Sequence, residues 1–130
     1  MIVGIGSDIV NINRIEKTIN KFGNKFINRC FSKVEILKSE NRLNKVASYA
    51  KRFAAKEAFS KALGTGFSKG VFFKDISVEN NKLGKPMLKL NGNAEKILKQ
   101  LVPKNKYPIV NLTITDENQL AYAMVIISFD

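Results

Sequence analysis

The stretch RFAAKEAFSKALGTG, residues 52 to 66, decides the reading of the fold, because it closes the longest helical period in the chain and sets two charges on the face expected to be buried. From about Arg42 to Leu63, apolar residues recur at helical spacing. Leu43, Val46, Ala47, Ala50, Phe53, Ala54 and Ala58 fall on one face, and Gly64 stands as the stop. Stepping about 100° per residue from Leu43 places Glu57 and Lys61 inside the arc of Ala47, Ala50 and Ala54. The same stepping turns Arg52 and Lys56 to the opposite side. As a surface pair four residues apart, Glu57 and Lys61 would contribute only about 0.2–0.5 kcal/mol. Their place on the inward arc supports a second reading, a helix wall bordering a polar cavity, since a buried charge without a partner or a metal is costly. The small alanines beside them leave room for a ligand.

On either side of this helix the pattern alternates between helix and strand. MIVGIGSDIV reads as a strand, with Ile2, Val3, Ile5 and Ile9 supplying bulk, two glycines permitting close backbone approach and Asp8 near its end. Ile12, Ile15, Ile19 and Phe22 then take helical spacing up to Gly23, and a short helical stretch follows around Phe26, Ile27, Cys30 and Phe31. Ser32 and Glu35 form a capping-box signature for another helix. Beyond GTGFSKG, the segments DISVEN and MLKLN read as strands around the turn residues of NKLGKP. Gly92 and Asn93 open a helix bearing Ile97, Leu98 and Leu101, and IVNLTIT and LAYAMVIIS form a final hairpin around DENQ. The expected architecture is α+β, one domain over residues 1–130, with an antiparallel sheet packed on the long helix.

Composition narrows the chemistry. The sole cysteine, Cys30, excludes an internal disulfide, and the absence of histidine excludes the usual zinc sites and a histidine base. No apolar run approaches a membrane span, and the N-terminal strand lacks the basic leader and cleavage site of a signal peptide, so a cytoplasmic location is expected. Twenty-two basic against eleven acidic residues, a net charge of +11, favour an acidic partner. Nucleic acid is the other reading of that charge. Eighteen lysines against four arginines, no aromatic interleaving and no recognition motif argue against it.

The charge is also patterned. Arg14, Lys17, Lys21, Lys25 and Arg29 recur every three or four residues, with Glu16 the only acid between Ile9 and Val34. Such a stripe is either a solvated helix face or a docking surface for an acidic helix or a phosphate backbone. Asp8 is either a cap for the helix that follows or a second carboxylate to join Glu57, and two carboxylates suit magnesium, whose remaining positions go to water and substrate phosphates. The glycines of GIG do not complete a dinucleotide fingerprint, and no Walker sequence is present. A phosphate near GTG would have to be held by loop amides, Thr65 and nearby lysines, because a helix C-terminus repels anions.

Taken in order, GIGSDIVNINRI (4 to 15), RFAAKEAFSKALGTG (52 to 66), the turn at GKP (84 to 86) and NLTITDENQLAYAMVI (111 to 126) resemble the holo-[acyl-carrier-protein] synthase family. These are the small bacterial 4′-phosphopantetheinyl transferases, and the resemblance covers nearly the whole chain. It implies a 4′-phosphopantetheinyl transferase-like fold. The implied reaction moves the phosphopantetheine arm of coenzyme A to a serine of apo acyl carrier protein, supports fatty acid biosynthesis and releases adenosine 3′,5′-bisphosphate. By the same resemblance Asp8 and Glu57 bind magnesium, Glu57 is the candidate base and Lys61 acts at the pyrophosphate. Arg52, Lys56, Lys61, Gly64, Thr65, Gly66, Pro86 and Asn111 would hold coenzyme A. Arg14, Lys17, Lys21 and Lys25 would receive the acidic carrier, and a homotrimer with sites between subunits is implied. Where family members commonly carry histidines near the C-terminus, this chain has Asn111, which keeps a hydrogen-bond donor, and Asp116, which brings an acid.

Overall fold

The longest helix is also the centre of the molecule, and the other elements are arranged around it. A computed structural model describes all of residues 1–130. In chain order the elements are β1 (Ile2–Asn11), α1 (Ile12–Phe22), α2 (Asn24–Cys30), α3 (Lys33–Glu40), α4 (Lys45–Leu63), a 3₁₀ turn (Phe73–Asp75), β2 (Ile76–Asn80), β3 (Pro86–Leu90), α5 (Gly92–Gln100), β4 (Ile109–Glu117) and β5 (Leu120–Ser128). Two antiparallel sheets form, one ordered β1-β5-β4 and one of β2 with β3. The α+β architecture is as expected, with β1 crossing from the N-terminus to pair along β5 of the C-terminal hairpin.

Local chemistry sets the element ends. Asn11 caps α1 by accepting the Asn13 N–H at 2.9 Å. Ser32 and Glu35 make the capping box of α3. Gly64 ends α4 at φ 84°, the left-handed conformation that suits glycine, and donates its N–H to the Lys61 carbonyl at 3.0 Å. The start of α4 differs from the sequence reading. Asn44 takes the Ala47 N–H at 3.1 Å as N-cap, so the helix begins at Lys45, and Leu43 lies outside it, fully exposed rather than in the core.

The helical-wheel picture of α4 also needs correction. Arg52 and Lys56 do not point to solvent, because the face opposite the three-stranded sheet is covered by α3 and the β2–β3 hairpin, which bury the helix on that side as well. Lys56 is fully buried, and its ammonium donates to Glu35 Oε1 at 2.7 Å and to the carbonyls of Phe73 and Ile76. Glu35 in turn accepts the Ser32 N–H and the Val78 N–H, each at 2.9 Å. One ion pair thus joins α3, α4 and β2. Burial pulls the Lys56 pKa below the ordinary lysine value, and the Glu35 charge opposes that pull.

On the other side β1 lies against the α4 backbone. A Cβ on Gly6 would collide with the Ala58 carbonyl oxygen, and one on Gly4 with that of Ala62. The inward face of β1 therefore continues as Gly4, Gly6, Asp8 and Val10, while Ile5 and Ile9 face outward, 63% and 62% exposed. They pair with Ile126 and Tyr122 of β5, and the outer face of this sheet is uncovered.

Removing one partner of the buried pair strands the other charge. Glu35→Ala should cost about 3–5 kcal/mol in urea unfolding, and combining Glu35→Leu with Lys56→Met should restore part of that loss.

Candidate active site

Asp8 and Lys61 meet because β1 has no side chains at Gly4 and Gly6. Lys61 Nζ donates to Asp8 Oδ1 at 2.9 Å and to the Ser7 carbonyl at 3.1 Å. Glu57 lies one turn earlier on α4 and is half-buried. Its carboxyl pKa is raised, first by burial and then by the Asp8 charge, while Lys61 and Arg14 pull it back. Asp8, Glu57 and Lys61 therefore share one electrostatic field, and Arg14, the first residue of the basic stripe, reaches into it.

The donor set fits magnesium. Two carboxylates that resist joint ionisation gain from a hard cation, and no group of three His, Cys, Asp or Glu side chains is close enough to form an all-protein cage. A cation held by Asp8 and Glu57 would keep the rest of its coordination for oxygens from outside the protein.

The loop after α4 is less open than the sequence suggests. The Gly66 N–H donates to the Ser60 carbonyl at 3.1 Å, and the Gly64 N–H already closes the helix, so neither amide is free for a phosphate. The Thr65 hydroxyl donates to the Gly66 carbonyl at 2.8 Å. What remains at this position is a tight loop, held beside Lys61.

Arg52 and Pro86 line a different feature, a cleft of about 630 Å³ between the start of α4 and the β2–β3 turn. Arg42, Ser48, Lys51 and Asp116 also line it, whereas Asp8, Glu57 and Lys61 do not. Arg52 is 5% exposed, with one guanidinium nitrogen on the Ser48 hydroxyl at 2.7 Å and its Nε without a partner. Neither Arg42 nor Arg52 forms an ion pair within the chain, so two guanidinium groups line the cleft without a paired carboxylate. Arg42 and Lys51 are the residues that sequence reasoning missed. The available signal was the basic character of NRLNK (41 to 45) and KR (51 to 52), but it was absorbed into the expected helix face.

Residues 4–123 match the family model of the 4′-phosphopantetheinyl transferase superfamily. The chain belongs to that family. The holo-[acyl-carrier-protein] synthase of Rhizobium meliloti (strain 1021) is 55% identical over 127 residues, covering 98% of this chain and 91% of the relative. Among solved structures, the Neisseria meningitidis holo-[acyl-carrier-protein] synthase superposes with a TM-score of 0.87 at 38% identity, covering 98% of this chain and 99% of that one. The Helicobacter pylori synthase, solved in complex with coenzyme A, gives 0.80 at 33% identity, covering 95% and 99%. The protein is thus an enzyme, a phosphopantetheinyl transferase.

In this transferase one site expectation needs revision. Lys56 is no coenzyme A ligand in this fold, since Glu35 and two carbonyls take its ammonium and none of it reaches solvent. Asn111 does not line the cleft. It pairs with Ile126 on the exposed outer face of the sheet, across β4 from Leu112, Ile114 and Asp116. Arg14, Lys17, Lys21 and Lys25 are exposed along α1 and the start of α2, while Ile12 and Ile15 face inward.

The Lys61–Asp8 pair is partly exposed, so Lys61→Met should lower stability by no more than about 1 kcal/mol in urea unfolding. A larger loss would make Lys61 a structural residue first.

Proposed function

We propose that the chain transfers the phosphopantetheine arm of coenzyme A to a serine hydroxyl of an apo acyl carrier protein in the cytoplasm, releasing adenosine 3′,5′-bisphosphate and supplying carriers for fatty acid synthesis. The convergence of Asp8, Glu57 and Lys61 from β1 and α4 carries this reading. Relatives solved with coenzyme A support the donor.

In this mechanism the serine oxygen attacks the phosphorus bearing the pantetheine arm as the bond to the bridging pyrophosphate oxygen breaks. Glu57, half-buried beside Asp8, takes the serine proton. Lys61 stabilises the charge that develops on the departing phosphate and can deliver a proton to it. Asp8 and Glu57 would hold magnesium, which when bound neutralises pyrophosphate charge and helps align it for in-line displacement. Arg42 and Arg52 hold the adenosine phosphates in the cleft, with Pro86 on its wall.

The acid patch and the cleft are separate in one chain, and a homotrimer answers that separation by setting the cleft of one subunit against the patch of the next. The uncovered apolar outer sheet face, with Ile5 and Ile9, supports such an assembly, and Asn111 lies on the same face. Arg14, Lys17, Lys21 and Lys25 steer the acidic carrier toward Glu57, beside which Arg14 already lies.

The deciding experiment mixes the protein with an apo acyl carrier protein, coenzyme A and magnesium and records the intact mass of the carrier. A gain of one phosphopantetheine, absent when magnesium is chelated, is expected; no gain overturns the reading. Asp8→Ala or Glu57→Ala should lower turnover roughly 100-fold or more, and unchanged rates in both would remove the metal assignment. Charge reversal at Arg14, Lys17 and Lys21 together should raise the carrier KM about tenfold at low salt, and the effect should shrink as salt is added.

A further inference from the structure

The cleft contains one acid among its cations. Lys51 Nζ lies 3.1 Å from Asp116 Oδ1, joining α4 to β4 along the cleft wall, with the side chains 29% and 35% exposed. Asp116 is the only carboxylate that lines the cleft. The other two cations, Arg42 and Arg52, form no ion pair. Burial lowers the Arg52 pKa, the Glu35 charge opposes that pull, and the neighbouring Arg42 charge adds to it, so two like charges stand side by side in the cleft. Of three cations in the cleft, Asp116 withholds one.

This pairing has a chemical consequence for a transfer reaction. The donor and the released bisphosphate carry the same adenosine phosphates, so a cation that grips them equally in both adds nothing to the chemical step and retards release. A third free cation beside Arg42 and Arg52 would do that. We infer that the Lys51–Asp116 pair sets the anion affinity of the cleft, engaging Lys51 so that the nucleotide product is held by Arg42 and Arg52 alone and leaves. The inference rests on the reading that the cleft takes the nucleotide half of coenzyme A. It gives Asp116 a role that needs no direct contact with the ligand.

Three variants test it by titration calorimetry with adenosine 3′,5′-bisphosphate on the full-length chain. Asp116→Asn frees Lys51 and should tighten binding about two- to fivefold at low salt, the scale of a partly exposed ion pair. That gain should fade at high salt. Lys51→Met leaves Asp116 facing the anion and should weaken binding by a similar factor, while the double variant should return close to the parent. The opposite signs are diagnostic, because loss of a mere strut between α4 and β4 would weaken binding in both single variants. Asp116→Glu, which keeps the charge, should bind like the parent. In turnover, Asp116→Asn should lower the KM for coenzyme A and strengthen inhibition by the bisphosphate. Single variants that shift affinity in the same direction, or an Asp116→Asn variant that binds like the parent at low salt, overturn the inference while leaving the transfer reaction standing. A parent chain that binds no bisphosphate overturns both this inference and the assignment of the cleft.

Discussion

The contact of β1 with the backbone of α4 is the constraint on which the other features depend. Only a strand without side chains at positions 4 and 6 can lie against the carbonyls of Ala58 and Ala62, and that closeness brings Asp8 within hydrogen-bond reach of Lys61. The alternation of the strand does the rest. With Gly4 and Gly6 turned inward, Asp8 must turn inward too, and Ile5 and Ile9 must turn out. The acid patch and the uncovered apolar face are therefore two results of one packing choice. A bulkier strand would have gained core volume and lost both.

Much of this was legible from residue patterns, and the parts that were not share a cause. Helix ends set by local hydrogen bonds, such as the Ser32 and Glu35 box and the Gly64 stop, could be read because their partners lie within a few residues. The convergence of Asp8 with Glu57 and Lys61 was legible mainly through family resemblance, since nothing local links residues so far apart in the chain. The burial of Arg52 and Lys56 was not legible. A helical wheel assumes one dry face and one wet face, and α4 has packing on both because α3 and the β2–β3 hairpin cover its second side. The face on which Asn111 lies was not legible for a related reason. Which face of β4 looks into the cleft depends on register with β5, and register is a property of the assembled sheet.

The charges of the chain serve different ends according to depth. Lys56 and Glu35, shut away from water, are saturated by one another and by backbone groups, and they specify how α3, α4 and β2 meet. Lys61 and Asp8 form a pair that is partly open to water, where an ion pair adds little to stability. Arg42 and Arg52 line a cleft without forming an ion pair, and on the proposed mechanism that leaves them for the phosphates of the donor. A net charge of +11 is thus a sum over positions with unlike roles, and only some of it is available to a partner.

Lys56 and Glu57 are neighbours in the chain, yet the turn of the helix sends one into a sealed interior and leaves the other half-buried in the field of Asp8 and Lys61. Selection therefore acts on two adjacent codons through different quantities. Damage at position 56 is felt as less folded protein in the cell, and, on the proposed mechanism, damage at position 57 as normal amounts of an idle one. A defect of the first kind can be masked by higher expression or lower growth temperature; one of the second kind cannot.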